Sequence, residues 1–378
     1  MGTRKKILFV SDIDLSKSNH AGNKNALLSL ASYLGENNEV SLLNLHRNKS
    51  SSSCFSNVIH VPRYLNAIKR RILGIFGIPQ KMMSYKSSIF LSFITKILDF
   101  MYDYDYVFVE YLELHSAVRF IDYNKRVCDL HDLMHLRRES FLKGGLGISA
   151  GLNINSQEEA KLVNIFSRVL VIQEKEYEHL KSMGINSELI LAKRAALNSK
   201  NHMIHCDSEE RDCFHIGFIG NSADFNIDAL SYIYEVLWPA LSDLKRIKLY
   251  IAGSVGNQVS VDLPVGVVYM GFVDDLSEFY GNIDLLINPI RFGSGLKTKN
   301  IESFSYGVPV LTTRCGAEGM ESMLGRGLDI FCDEYEFSSK IEKISSSKIS
   351  NDDIKMAYEE LFGAKVCYKA LEDSIYGI

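Results

Sequence analysis

Proline is scarce in this chain, six in 378 residues, and tryptophan occurs once. So few prolines, with only 26 glycines, exclude a disordered or fibrous chain. No run of about 18 uncharged apolar residues exists, so no segment reads as a membrane span. The start, Met1 to Lys6, leads into only four apolar residues, Ile7 to Val10, too few for a signal-peptide core. A cytoplasmic protein is expected. The seven cysteines are odd in number, widely spaced and without a Cys-x-x-Cys pair, which reads as reduced thiols rather than a disulfide framework. His202, His205, Cys206, Cys213 and His215 lie near one another in sequence but lack zinc spacing, and no metal site is expected.

Net charge is also small, −4, which argues against a dedicated nucleic-acid binder. The average hides an asymmetry. Residues 1–206 carry 27 Lys+Arg against 19 Asp+Glu, whereas residues 207–378 carry 15 against 27. The basic excess peaks at 62–98, with seven basic residues, no acidic one and many apolar residues between them. A basic, apolar, helix-prone stretch is a candidate membrane-surface element, although charge runs commonly just face solvent.

The length suggests two domains, and the pattern repeats accordingly. Strand-like Ile7 to Val10, a polar loop to Gly22, a helix from Asn23 to Leu34 and a strand from Glu39 to Leu43 open a doubly wound α/β domain. Tyr106–Val109, Arg126–Asp129 and Arg168–Ile172 continue it as strands. Glu110 and the pair His131-Asp132 follow two strand ends, where ligands of such sheets bind. Residues 198–213 are polar and linker-like. A second α/β pattern starts at His215, with a tight turn at Gly220-Asn221 and a single helix expected from Ile227 to Leu241. The expected division is 1–200, a linker at 201–213, a second domain at 214–351, and a terminal helix at 352–378 crossing back to the first domain.

The densest signal is residues 289–320. Gly293-Ser294-Gly295 forms a turn tight enough for backbone amides to approach a ligand, and a helix follows at once. Free N–H groups and the positive dipole end make such a place an anion site, with phosphate the natural occupant. Lys297 and Lys299 add charge in the first turn, where cations disfavour a helix unless an anion binds. Glu302, further along this helix, is placed to accept from ribose hydroxyls.

This segment resembles the donor-binding signature of family 4 glycosyltransferases with the GT-B fold, through Gly293, Gly295, Lys297, Lys299, Glu302, Gly307, Pro309, Val310, Gly316 and Glu318-Gly319. Phe218-Ile-Gly220, Ile251-Ala-Gly253 and Gly271-Phe-Val-Asp274 are similar to strand ends of that family's second domain, and Asp129-Leu-His131-Asp132 to its His-Asp motif. The resemblance implies two Rossmann-like domains facing across a cleft, and retaining transfer from a UDP- or GDP-linked sugar without a metal or other cofactor. It implies a surface polysaccharide or glycoconjugate as product, and a lipid-linked glycan acceptor met at the inner face of the membrane. His131, Asp132 and Lys297 would carry the chemistry. Gly220, Asn221, Gly293, Ser294, Gly295, Lys297, Lys299, Glu302, Glu318 and Gly319 would hold the donor. Gly22, Glu110 and Arg137 would lie on the acceptor side, Arg137 alternatively on a solvated helix face. Ser294 departs from the pattern, since the family often has a sugar-reading glutamate there. That leaves two competitors, a nucleotide-sugar epimerase on the same fold and a catalytically silent GT-B partner.

Overall fold

The computed structural model of the chain describes residues 3–16, 22–46, 52–61, 89–143, 154–197, 213–242, 244, 246–258, 263–346 and 350–377. The expected linker up to residue 212, and most of the basic stretch, 62–88, lie outside the described residues.

The first half runs β1 (Lys6–Ser11), α1 (Gly22–Gly35), β2 (Glu39–Asn44), β3 (Asn57–His60), α2 (Ile89–Tyr102), β4 (Tyr106–Glu110), β5 (Arg126–Leu130), α3 (Met134–Lys143), α4 (Ser156–Val163), β6 (Arg168–Val171), α5 (Glu174–Ser182) and β7 (Glu188–Leu191). Its seven strands pair in parallel in the order β3-β2-β1-β4-β5-β6-β7. The second half runs β8 (Phe214–Ile219), α6 (Asp224–Tyr232), β9 (Ile247–Ala252), β10 (Val267–Gly271), α7 (Leu276–Gly281), β11 (Leu285–Asn288), α8 (Thr298–Ser305), β12 (Val310–Thr312), β13 (Leu328–Ile330), α9 (Glu334–Ser346), α10 (Asn351–Phe362) and α11 (Ala364–Tyr376). Its six strands are also parallel, in the order β10-β9-β8-β11-β12-β13.

Central strands of this kind are covered on both faces and read as continuous apolar runs. Val107, Phe108 and Val109 of β4 and Ile7 to Val10 of β1 are accordingly buried. Each sheet changes winding direction once, between β1 and β4 and between β8 and β11. The crevices that form ligand sites open at such switch points.

Two expectations are revised. The helix from Ile227 to Leu241 stops as an α-helix at Tyr232, passes through a π-turn over Ile233–Leu237, and ends in a 3-10 turn over Pro239–Leu241. Pro239 has no N–H to continue the ladder, and the amide of Trp238 instead reaches back to Ile233 O at 2.7 Å. The terminal stretch is two helices rather than one. Gly363, with ψ 148°, breaks the run. α10 packs on α8 of the second domain, while α11 lies against α1 and β7 of the first. Tyr368, Leu371 and Ile375 of α11 are buried, each contributing about 1.5–3 kcal/mol by leaving water. Tyr33 OH donates to Glu372 (2.6 Å) and Tyr106 OH to Ile375 O (3.0 Å).

Backbone approach is tightest at Gly253, after β9. Its φ is +90°, and a Cβ there would sit 2.2 Å from the carbonyl oxygen of Gly220. The turn that follows β8 therefore rests on this glycine. Gly253→Ala is expected to cost about 2 kcal/mol from strain and displacement of that carbonyl. Urea denaturation tests this, and a change under about 0.5 kcal/mol would count against it.

Candidate active site

The first-domain side of the cleft is a cluster of charges at the ends of β4 and β5. Glu110 and Asp129 are paired in register on adjacent strands and both are fully buried. His131 Nε2 lies 2.7 Å from Glu110 Oε2 and 3.9 Å from Asp129 Oδ2. Arg194, buried just beyond β7, ion-pairs Asp129 Oδ1. Burial, then the Asp129 charge, raises the Glu110 carboxyl, while His131 and Arg194 oppose the rise. Glu110, Asp129 and His131 offer ligand atoms within 4.8 Å of one another, the spacing of a metal cluster. A dication there would meet the guanidinium already bound to Asp129, so the donor set fits a metal poorly.

Tyr111 covers this cluster. Its ring stacks on the His131 imidazole, centroids 4.1 Å apart and planes 16° apart. Its backbone has φ +66° and ψ +141°, a conformation that costs a non-glycine residue about 1–3 kcal/mol.

The second-domain side is the segment from β11 into α8, and the two sides touch. Gly293 N–H donates to Ser140 Oγ (2.9 Å), and Ser294 Oγ donates to Asp132 Oδ2 (2.9 Å). Asp132 also takes Arg137 at 3.1 Å, so Arg137 neutralises Asp132 rather than standing on a free helix face. A Cβ at Gly295, whose φ is +75°, would lie 3.1 Å from His131 O. Only glycine permits that approach. Lys297 donates to Gly295 O (2.8 Å) and Ser294 O (3.4 Å), folding its ammonium over the loop.

Several donor-side expectations change in detail. The Gly293 amide and the Ser294 hydroxyl are engaged by first-domain side chains. Lys299 does not face the loop: it is half-buried, its Nζ donates to Asn226 Oδ1 (2.8 Å), and it lies 4.7 Å from the centroid of Phe218. Asn226 in turn donates to Asn221 O and Oδ1 (3.1 and 2.8 Å), so Lys299 acts on the Gly220-Asn221 turn through Asn226. Burial lowers the Lys299 ammonium to about 7, with Glu302 opposing and Lys297 adding to the drop. Glu302 is raised to about 7 by burial, against the pull of Asn25, Lys299 and Tyr280. Asn25 Nδ2 of α1 donates to Glu302 Oε1 at 2.5 Å, across the cleft. Gly22 meets the same helix start, its would-be Cβ 2.0 Å from Thr298 Oγ1. Glu318 pairs with Lys175 at 3.5 Å, and Gly319 packs under Leu296 and Gln173.

The sequence alone does not single out Asn25, Tyr111, Ser140, Glu176 or Arg194. The one available signal for Tyr111 is its place directly after Glu110 at a strand end. Arg194 carries no local signal.

Residues 213–346 match the family model described as Glycosyl transferases group 1. That match spans the second domain. A stretch of the chain is also 28% identical over 142 residues to an "uncharacterized 44.6 kDa protein in cps region" of Klebsiella pneumoniae. That match takes in 34% of this chain and 37% of the relative, little more than a third of its length. The whole chain is similar in fold to Anabaena HepE, solved with UDP and glucose, with a TM-score of 0.65 at 12% identity over 99% of this chain and 100% of that one. Sucrose-phosphate synthase from Thermosynechococcus elongatus gives 0.62 at 13% identity, over 98% and 96%. Two parallel sheets with interleaved helices, together with these neighbours, make this the α/β two-domain GT-B fold. The matched residues include the loop and helix start described above.

Glu176, on α5, offers a pH test. Its carboxyl is buried, and Oε2 has no hydrogen-bond partner among the described residues. Burial, then Asp132, raises it to about 8, with Lys297 opposing. Between the ordinary carboxylate value, about 4.3, and about 8, the folded state keeps a proton that the unfolded chain has released. Stability therefore falls as pH rises through that window. Glu176→Gln is expected to remove this fall, making the variant the more stable protein near about pH 8 and equal to wild type near about pH 4. Denaturation at both pH values checks it, and parallel pH profiles would contradict it.

Proposed function

We propose that this chain transfers a sugar from a nucleotide-sugar donor, UDP- or GDP-linked, to an acceptor hydroxyl with retention of configuration, in synthesis of a surface polysaccharide or glycoconjugate. The observation that carries the reading is the meeting of the group 1 loop, Gly293 to Lys297, with Asp132 and Ser140 directly beside His131. The cps-region relative supports a polysaccharide product, and the UDP and UDP-glucose bound by Anabaena HepE support the donor class.

In this reading the diphosphate lies between the starts of α1 and α8. Charge grows on it as the glycosidic bond breaks, and preorganised positive groups there lower the barrier. Lys297 is the cation that meets it. Lys299 and Asn226 fix the Gly220-Asn221 turn, whose amides face the same charge. Glu302 holds the ribose once Asn25 yields its oxygen. His131 and Asp132 orient the sugar and the acceptor, and the departing phosphate oxygen takes the acceptor proton. No metal is called for.

A panel of nucleotide sugars is expected to contain one that raises the melting temperature of the protein, since a ligand of the native state stabilises it. Lys297→Ala should lower transfer from that donor by about 100-fold or more. Turnover intact in this variant would overturn the site. Donor consumed with no acceptor present would point to an epimerase, and nucleotide binding without turnover to a silent partner.

The acceptor, in the same reading, is met at a membrane's inner face. Among the described residues no helix is long and apolar enough to cross a bilayer. α2, however, exposes Phe93 (52%), Ile97 (56%) and Phe100 (87%) along one stripe, with Phe120 beside Phe93 and Arg119 over Phe120. Contiguous exposed apolar surface marks an interaction site, and the sequence leading into α2 is basic. Co-sedimentation with phosphatidylglycerol vesicles is expected, lost with phosphatidylcholine alone and lost in a Phe93→Ser, Ile97→Ser, Phe100→Ser triple variant. Equal binding by wild type and variant would refute it.

A further inference from the structure

Tyr111 is built into the cleft more firmly than packing alone requires. It follows β4 directly and takes a left-handed φ of +66° that glycine adopts freely and tyrosine resists. Two contacts hold it there: its amide donates to Asp129 O on β5 (3.1 Å), and its ring lies flat on the His131 imidazole. A strained residue persists only where its surroundings over-determine it, and such residues gather at functional sites.

The imidazole is otherwise held only along one edge. Glu110 takes Nε2, and among the described residues no protein group bonds Nδ1. A ring gripped at one edge can still rock about that bond. Tyr111 removes this freedom by closing the face. We propose that Tyr111 is a positioning residue for His131: its ring fixes the imidazole plane, so that Nδ1 is presented to whatever occupies the cleft. The catalytic consequence rests on the transfer reading given above, whereas the positioning itself does not.

The test uses the full chain with ring-carbon-13-labelled histidine, His131 being assigned through His131→Gln. Wild type and Tyr111→Phe are expected to show a rigid His131 ring by carbon relaxation; the tautomer is set by the Glu110 bond and does not report the plane. Tyr111→Leu and Tyr111→Gly are expected to show a mobile ring. Tyr111→Gly exchanges relief of the left-handed strain for the loss of a packed ring, so its folded fraction is measured alongside. UDP release from UDP-glucose should fall by about 100-fold in kcat for the glycine variant, with KM within about twofold, and Tyr111→Phe should restore it. A rigid His131 ring in folded Tyr111→Gly would overturn the proposal, as would a loss of turnover matched by a loss of folded protein. A wild type that releases no UDP from UDP-glucose would count against the choice of donor alone, and the imidazole spectra would still decide the positioning.

Discussion

Two helices start side by side at the centre of this molecule, and much else follows from that meeting. α1 begins at Gly22 and α8 at Thr298, so close that a single methyl on Gly22 would collide with the threonine hydroxyl. Asn25 and Glu302, one turn further along each helix, are hydrogen-bonded across the cleft. Each helix start carries unsatisfied N–H groups and a partial positive charge. Lys297 stands at one of them. Such an arrangement favours an anion, and in the proposed reading a diphosphate supplies it. The glycines at 293 and 295 follow from the same geometry, since the loop into α8 must pass against His131 and Asp132.

Around this meeting the fold fixes its charges. Lys299 bonds Asn226 and Glu302 bonds Asn25 on one side, and the buried pair of Arg194 and Asp129 lies on the other. Breaking a buried pair by removing one partner costs about 3–5 kcal/mol, because the other is left uncompensated. These groups therefore hold one arrangement tightly. Lys299 fixes the Gly220-Asn221 turn through Asn226, and Arg194 holds Asp129 beneath His131. Arg194 lies just before Ala195 and Ala196, whose amides donate to the hydroxyls of Tyr368 on α11 and Tyr358 on α10. The chain leaving the first domain, the two terminal helices and the base of the cleft thus form one connected piece.

How much of this is legible in the sequence varies with range. Strands such as β4 and β5 show as short apolar runs, and the turn at Gly293 to Gly295 shows as glycine spacing before a helix, because both signals are local. The role of Lys299 is misplaced by the sequence pattern, since a lysine in a first helical turn looks alike whether it faces a phosphate or turns inward onto Asn226. β7 and β13 leave no clear signal: four and three residues with partial burial carry too little periodicity. Gly363 reads as part of a continuous helix, although its ψ ends one helix and starts another.

The sequence by itself determined the two α/β halves, the parallel sheets and the glycine turn that leads into α8, because these depend on apolar period and glycine geometry within a few residues. Tertiary structure alone decided which groups meet. Ser140 on Gly293, Asn25 on Glu302, Tyr111 on His131 and Arg194 on Asp129 join residues distant in the chain or on different strand ends. No local pattern encodes such contacts: the last two arise only when the first sheet is wound, and the first two only when the switch points of both sheets are brought face to face.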